Sequence, residues 1–551
     1  MLKIRASRRT GTGADRNDHE HRDRQSGSPT DGDIPHSDVS SSCRGHVASH
    51  SQDLGRVDLL QIRPGILREP STRPARSRSQ AGRSAYPRPG AFPYHRCMAT
   101  PTQSGKLLSP LDQMFVRMES PRTPMHIGAL AIFTLPPDAP KTFVRDLHTA
   151  FAEMAWLPFP YDSELSSVRI ADAWRWKQVT PDPEYHIRLS ALPTPGTEAD
   201  LGRLVERLHS RPLDMTKPLW EAHIIEGLEG DRFAFYFKAH HCATDGLGGV
   251  ETITAWLSTD PQGSPPTGVA DAGRPLSLWD KLTILPRRAA SGTVATAEVL
   301  GKIVDMTIGS HSTVLASLKT PRTILNQRVT AHRRVATQSL PLATLRAVAK
   351  KAEVTVNDVV LAALGGAMRR YLLELDALPG ATVNASVPVG FARGEETRNA
   401  AAGFVAPLGT QTDDPQERLR QIHAATTRAK ADIDALSSGA AEYFSLIGLM
   451  PLALAQKSGL LAKLPPLFNL TVSNVVLSKQ PLYLLGARLE QMVPISFLVD
   501  GYALNVTLIG YTDTVTLGIV GCRDALPHLQ HLATYTSDAL VELAEAFGVA
   551  P

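Results

Sequence analysis

The 551 residues are 42% hydrophobic and 20% charged, an ordinary balance for a globular enzyme of about two to four domains. The net charge of +4 is confined to residues 1–97, where 16 Arg and one Lys face ten acidic residues; the rest of the chain is near −3, which excludes a nucleic-acid footprint. Four cysteines without a C-x-x-C spacing exclude a disulfide framework and a cysteine zinc site, and point to reduced thiols in a cytoplasmic protein.

Residues 1–97 show little periodicity and are dominated by Ser, Arg, Gly, Pro, His and Asp. Such a segment buries too little apolar surface to offset its ordering entropy, and it lacks the apolar run of a secretory signal. It is expected to be a disordered tail without chemistry. Its excess of Arg over Lys also suggests upstream GC-rich DNA read from too early a start, with Met98 as the true first residue.

Ordered pattern begins near Leu107. Leu108-Ser109-Pro110-Leu111-Asp112 opens a helix, with Ser109 as cap and Pro110 at the first helical position. A strand is expected over 126–133, then helices over 140–154 and 198–208. Residues 219–228 and 232–241 form a hairpin around Glu229-Gly230-Asp231. Alternation along its second strand puts Phe233, Phe235, Phe237, Ala239 and His241 on one face, with Ala234, Tyr236, Lys238 and His240 on the other.

Pro, Gly, Ser and Asp cluster over 258–275, and the division adopted is an N-terminal lobe 98–260, a linker and crossover 261–320, and a C-terminal lobe 321–551. In the second lobe Thr355-Val356-Asn357-Asp358 is a capping box opening a helix to about Leu375. Strands are expected over 381–389, 403–410, 468–477 and 491–499. A hairpin of 503–511 with 514–522 and a helix over 526–547 close the chain. Strands and helices without regular βαβ alternation indicate an α+β fold. The longest apolar run, 443–455, holds about 13 residues, short of the roughly 18–20 that span a bilayer. It reads as a buried helix or as an apolar lip resting on a lipid surface.

The chemistry is concentrated in Lys238-Ala239-His240-His241-Cys242-Ala243-Thr244-Asp245-Gly246-Leu247-Gly248-Gly249. A strand ends in paired histidines, a tight turn follows, and a helix begins near Gly246 with Leu247, Val250, Thr254 and Leu257 as its seam. A base that deprotonates an alcohol must be neutral, within reach of the hydroxyl and held in one orientation. An imidazole on an apolar strand face meets the first demand, because burial disfavours its cation. Asp245 could hold the turn or pair with an arginine, and Gly246 could ease a sharp exit or the approach of substrate. Against this stands the bland alternative of two strand-end histidines and a helix cap. A zinc pair is disfavoured because adjacent strand residues face apart. Trp220 reads as a packed hairpin residue, and Cys242 as a thiol facing away from His241.

His240-His241-x-x-x-Asp245-Gly246, preceded by Pro218-Leu219-Trp220, resembles the bacterial wax ester synthase/diacylglycerol acyltransferase family, part of the chloramphenicol acetyltransferase-like superfamily of coenzyme A-dependent acyltransferases. Leu108-Ser109-Pro110-Leu111-Asp112 with Met125-His126-Ile127-Gly128 is similar to the family's opening. So are Pro321-Arg322-Thr323-x-Leu325-Asn326, His332-Arg333-Arg334 and Val356-Asn357-Asp358-Val359-Val360 to its later segments, and Asn469-Leu470-Thr471-Val472-Ser473-Asn474-Val475 to the strand before its Pro-Gly-Pro turn.

The resemblance implies two chloramphenicol acetyltransferase-like lobes with an active-site tunnel between them. It implies transfer of a long acyl chain from acyl-CoA to diacylglycerol or a fatty alcohol, without an acyl-enzyme, a metal or a tightly held cofactor; acyl-CoA is the donor substrate. His241 would be the general base, with His240, Asp245 and Gly246 supporting it, and Ser473 or Asn474 on the oxyanion or acceptor side. Peripheral contact with the inner membrane or lipid droplets would suit lipid substrates. Two departures stand out: Val476-Leu477-Ser478 replaces Pro-Gly-Pro, and Pro388-Val389-Gly390-Phe391-Ala392-Arg393 matches only loosely. The first raises a different hydroxyl acceptor, such as a secondary-metabolite alcohol, as the alternative. A lipid-binding protein without turnover is the reading from another class.

Overall fold

The computed structural model describes residues 105–153, 159–168, 173–244, 246–262, 320–390, 401–434 and 463–550. The expected tail 1–97 with Met98, residue Asp245, most of the 261–320 linker, Arg393 and the 443–455 run lie outside the described residues.

The first half follows its predicted punctuation. Helix α1, Pro110–Met118, starts where Ser109 accepts from the Asp112 backbone N–H and proline occupies the first turn. It is followed by β1 (His126–Thr134), α2 (Phe143–Ala152), a small hairpin of β2 (Ser163–Val168) and β3 (Ala173–Gln178), α3 (Pro183–His186) and β4 (Ile187–Ala191). Helix α4 (Glu198–His209) opens with a reciprocal Thr197–Asp200 capping box, and the hairpin of β5 (Trp220–Leu228) and β6 (Arg232–His240) leads into α5 (Gly246–Thr254).

After Thr320 come β7 (Arg333–Pro341), α6 (Leu342–Ala352), α7 (Val356–Glu374), β8 (Asn384–Gly390), β9 (Ala401–Pro407), α8 (Pro415–Asp434), β10 (Leu470–Ser478), β11 (Tyr483–Leu484), β12 (Ala487–Ile495), β13 (Leu504–Tyr511), β14 (Thr514–Cys522) and α9 (Leu529–Ala546). Strands β2, β3, β4, β7 and β11 and helices α3, α6 and α8 were not among the expected elements. In β7, Arg333–Pro341, only positions 333, 336 and 340 are buried, so apolar alternation is nearly absent and a sheet-edge position defines the strand.

Two six-stranded mixed sheets result, in the orders β11-β12-β1-β6-β5-β4 and β7-β14-β13-β10-β8-β9. Strand β4 runs parallel to β5, and β10 runs parallel to both β8 and β13; the remaining pairings are antiparallel. The sheets do not respect the expected chain division. Strands β11 and β12, from the C-terminal half, complete the first sheet, with Leu130 opposite Val493 and Ile132 opposite Gln491. The buried core likewise runs across both halves, joining Leu130, Ile132, Leu201 and Val205 to Val493, Leu517 and Leu540. Where β12 crosses β14, a Cβ on Gly518 would lie 1.7 Å from the Pro494 carbonyl oxygen, so only glycine permits the approach.

The second-half motifs meet in a buried amide ladder. Asn469 Nδ2 donates to Asn326 Oδ1 (2.7 Å) and to the Pro321 carbonyl (2.7 Å), while Asn469 Oδ1 accepts from the Asn384 backbone N–H (2.8 Å). Asn326 Nδ2 donates in turn to the Phe468 and Gly501 carbonyls. Buried amides satisfied this fully pin one arrangement of the segments they join.

Candidate active site

Strand β6 ends at His240, one residue short of expectation, and His241 occupies the turn that follows. Its backbone N–H donates to the Met125 carbonyl (2.8 Å), continuing the β1 pairing in which His126 lies opposite His240. Its ring neighbours Phe115 and Phe497 belong to a different apolar cluster from Phe233, Phe235, Phe237 and Ala239, which pack under α2 and α5. The His241 ring stacks on Phe115 of α1, 4.1 Å between centroids at 28°, and meets Phe497 edge-on at 5.2 Å and 84°. Burial first, and then the neighbouring His240, push its pKa from 6.5 down to about 4. The His241 imidazole is neutral at physiological pH.

His240 is 1% exposed and points away from that pocket. Its Nδ1 accepts from the Cys242 N–H (3.1 Å), and its Nε2 lies 3.4 Å from Glu119 Oε2. Glu119 also accepts from the Met125 N–H, so one carboxylate braces both strands that deliver His241. Cys242 is buried, and burial with the nearby Asp112 and Glu119 carboxylates raises its thiol well above the usual range, which excludes a ready thiolate.

Gly246 begins α5, where an added Cβ would meet nothing within 4 Å, and its φ is not left-handed. Neither a tight turn nor a neighbour in the chain demands glycine there. Val250 and Ile253 form the helix seam, with Ile253 in the role expected of Thr254, and Leu257 is buried just beyond the helix end. Trp220 is packed, its indole N–H donating to the Tyr161 carbonyl (2.9 Å).

Ser473 and Asn474 lie on β10, far from His241 in sequence, and α5 packs between β1 and this strand. The Ser473 hydroxyl bonds Thr507 Oγ1 at 3.0 Å, on the β13 face that Thr507 shares with Ile509, which packs in the core beneath α5. Asn474 projects oppositely and is exposed. The Val476-Leu477-Ser478 segment forms no turn: β10 stays paired with β13 through a bulge, Ser478 opposite Tyr511. This corrects the expectation of a loop at the position of the family's Pro-Gly-Pro.

Asp358 carries out its expected capping and more. It accepts from the Thr355 N–H (3.1 Å) and hydroxyl (2.8 Å), and also from His423 Nδ1 (2.9 Å) and the Thr426 hydroxyl (2.7 Å) of α8. Burial pushes its pKa up, but these donors outweigh it and hold the carboxyl below its usual value. Sequence reading missed Phe115 and Phe497. Phe115 sits one turn beyond the Leu108–Asp112 motif and could have been suspected; no local pattern connects Phe497 to a histidine in another half of the chain.

Among the described residues no group of three or more His, Cys, Asp or Glu could hold a metal, and no helix is long and apolar enough to cross a membrane.

Comparison with known proteins agrees with this arrangement. The wax ester synthase/diacylglycerol acyltransferase catalytic domain matches residues 108–360, and the C-terminal domain of the same family matches residues 398–544. A relative from Mycobacterium tuberculosis, named as a diacylglycerol O-acyltransferase, is 59% identical over 443 residues, covering 80% of this chain and 99% of its own length. The O-acyltransferase WSD of Acinetobacter baylyi is 35% identical over 445 residues, covering 79% of this chain and 96% of its own. The solved wax ester synthase/diacylglycerol acyltransferase from Marinobacter aquaeolei superposes with a TM-score of 0.65 at 35% identity, covering 80% of this chain and 100% of that structure. The first condensation domain of the calcium-dependent antibiotic synthetase, at 16% identity and a TM-score of 0.54 over 82% of this chain and 98% of its own, shares the fold. Two mixed α+β sheets joined by a crossover strand, a paired-histidine strand end and the extent of these matches lead to one conclusion: the chain belongs to the wax ester synthase/diacylglycerol acyltransferase family.

Proposed function

We propose that the protein transfers a long acyl group from acyl-CoA to the hydroxyl of diacylglycerol or of a fatty alcohol, with His241 as general base. The observation that carries this reading is the neutral imidazole of His241, held between Phe115 and Phe497 at the strand end where the family motif lies. Its Nδ1 is buried while the residue keeps intermediate exposure, so the Nε2 edge is the one that meets a substrate hydroxyl.

Nε2 takes the hydroxyl proton as the oxygen attacks the thioester carbonyl. The tetrahedral oxyanion then expels the coenzyme A thiolate, which receives the proton back from the imidazolium. No bond to the protein forms. A pKa of about 4 keeps the base unprotonated but limits its proton affinity, so the barrier must also be lowered by donors aimed at the oxyanion. Of the two β10 candidates, Ser473 is the better placed, because its face looks toward the α5 side; Asn474 suits an acceptor-side contact. Asp245, the aspartate of the motif, is assigned a structural role, and Gly246 leaves open space in which substrate can approach the α5 backbone. Lipid substrates imply peripheral contact with a membrane or droplet surface.

The test is ester formation from palmitoyl-CoA with dioleoylglycerol or hexadecanol, comparing the wild type with His241→Ala. Removal of a positioned base lowers the rate by about 10²- to 10⁴-fold. Equal ester from both proteins refutes the mechanism. No ester from either, with acyl-CoA still bound, refutes both acceptors.

A further inference from the structure

Behind the motif lies a second layer of buried polar side chains that the chemistry above does not use. His209, the last residue of α4, is 1% exposed. Its Nε2 lies 3.0 Å from the Ser496 carbonyl oxygen and its Nδ1 2.8 Å from the Tyr236 hydroxyl. A carbonyl only accepts, so Nε2 carries the hydrogen. Burial first, then the charges of Lys238 and Arg333, hold its pKa down to about 3 and the ring neutral, although the Ser496 bond opposes them. Nδ1 is therefore a lone pair, and the Tyr236 hydroxyl donates to it. Both ring nitrogens are assigned without ambiguity.

The platform beneath this ring is equally determined. The His209 carbonyl accepts from His126 Nε2 (2.8 Å). Lys238 Nζ donates to the Leu208 (3.1 Å) and Arg211 (3.0 Å) carbonyls at the end of α4, and is neutralised by Glu221 at 3.3 Å across the hairpin. Gly128, which lies opposite Lys238 in the β1–β6 pairing, leaves room for the end of the Tyr236 ring: a Cβ there would lie 2.9 Å from Cε2 and 3.0 Å from the hydroxyl. Met125, His126 and Gly128 of the opening motif thus each serve this layer or the His241 backbone.

Ser496 immediately precedes Phe497, whose ring stands edge-on to His241. We propose that His209 is a positioning residue for acyl transfer: by donating to the Ser496 carbonyl it seats Phe497, and through Phe497 it orients the base, which it does not touch. This rests on the reading of His241 as the base.

The test uses the full chain carrying His209→Gln, His209→Asn or His209→Leu, assayed with palmitoyl-CoA and dioleoylglycerol alongside thermal unfolding. Glutamine extends an N–H to where Nε2 stood, asparagine reaches only the Nδ1 edge, and leucine supplies neither. The Asn and Leu variants should lose roughly 10- to 100-fold in kcat, the scale of a small misplacement, with KM for acyl-CoA nearly unchanged; Gln should regain most of the loss. Adding Phe497→Leu to His209→Asn should cost little more, since both act through one ring. If Gln and Asn fall equally at equal melting temperatures, if Leu keeps the wild-type rate, or if the losses follow the folded fraction, the proposal is overturned. Should Leu not fold, the Gln–Asn difference alone decides. Ester formation surviving His241→Ala removes the base assignment instead, an outcome distinct from wild-type kcat in the His209 series.

Discussion

The imidazole of His241 lies face-on against Phe115, with ring centroids 4.1 Å apart. Phe115 comes from the first described helix and Phe497 from the segment after the crossover strand, so the clamp on the His241 ring closes only when both halves of the chain are in place. Several measurable consequences depend on that clamp and on the buried polar groups around it.

The acid limb of kcat/KM reports the free enzyme's base. With His241 pushed down to about 4, the base stays unprotonated as pH falls well below 6.5, and activity is lost only as the ring protonates near its folded value. Phe497→Ala admits water to the ring, weakens the burial effect and moves the acid limb up toward 6.5. His240 remains to oppose the cation, so the shift stops short of the free value. Rate profiles of both proteins from pH 4 to 8 check this; superimposable limbs would show that Phe497 does not enclose the base.

Stability should fall on acidification from neutral pH. His126, His209 and His241 all have lowered folded pKa values, chiefly through burial. Below 6.5 the unfolded chain therefore binds more protons than the native state, and each histidine removes at most about 1.4 kcal/mol per pH unit until its folded pKa is reached. Glu221, held down to about 2 by His223, Lys238 and Arg188 against the opposing effect of burial, adds to the loss at lower pH. Urea unfolding midpoints at pH 7 and pH 5 read the effect, and His209→Gln should flatten it.

Asp358→Ala removes the α7 cap and leaves His423 and the Thr426 hydroxyl of α8 without their carboxylate. The expected cost is about 2–4 kcal/mol, a cap plus charged hydrogen bonds. Activity per folded molecule should be unchanged. Denaturant titration with a parallel assay separates the two, and a loss of kcat at full folding would give Asp358 a role beyond structure.

Gly518→Val drives a side chain into the Pro494 carbonyl, a backbone atom that cannot yield, where a Cβ already approaches to 1.7 Å. A penalty above the roughly 1–3 kcal/mol of ordinary overpacking follows. Gly202→Ala in α4, where a Cβ meets nothing within 4 Å, should instead stabilise by up to about 1 kcal/mol. Melting temperatures of the two variants should move in opposite directions.

Local chemistry was legible without coordinates. The Ser109 cap, the Thr355–Asp358 box, the hairpin ending in His240 and the closing β13–β14–α9 run follow from interactions within a few residues, and the structure places each where the pattern put it, to within a residue or so except that α9 starts three residues late, at Leu529. The paired histidines were legible for the same reason, although alternation assigned His241 to the wrong cluster because the strand stops one residue earlier. What no local pattern contains is the crossover. β12 joins the first sheet, Gly518 is required by a carbonyl in another strand, and Phe497 meets His241 and Ser496 meets His209, both more than 250 residues earlier in the chain. The amino-acid order by itself determined the capped helices, the two long hairpins and which imidazole could serve as a base, but not the short or edge strands β2, β3, β4 and β7. Only the tertiary structure decided what surrounds that imidazole, because its burial and orientation come from residues that meet only when the two halves pack.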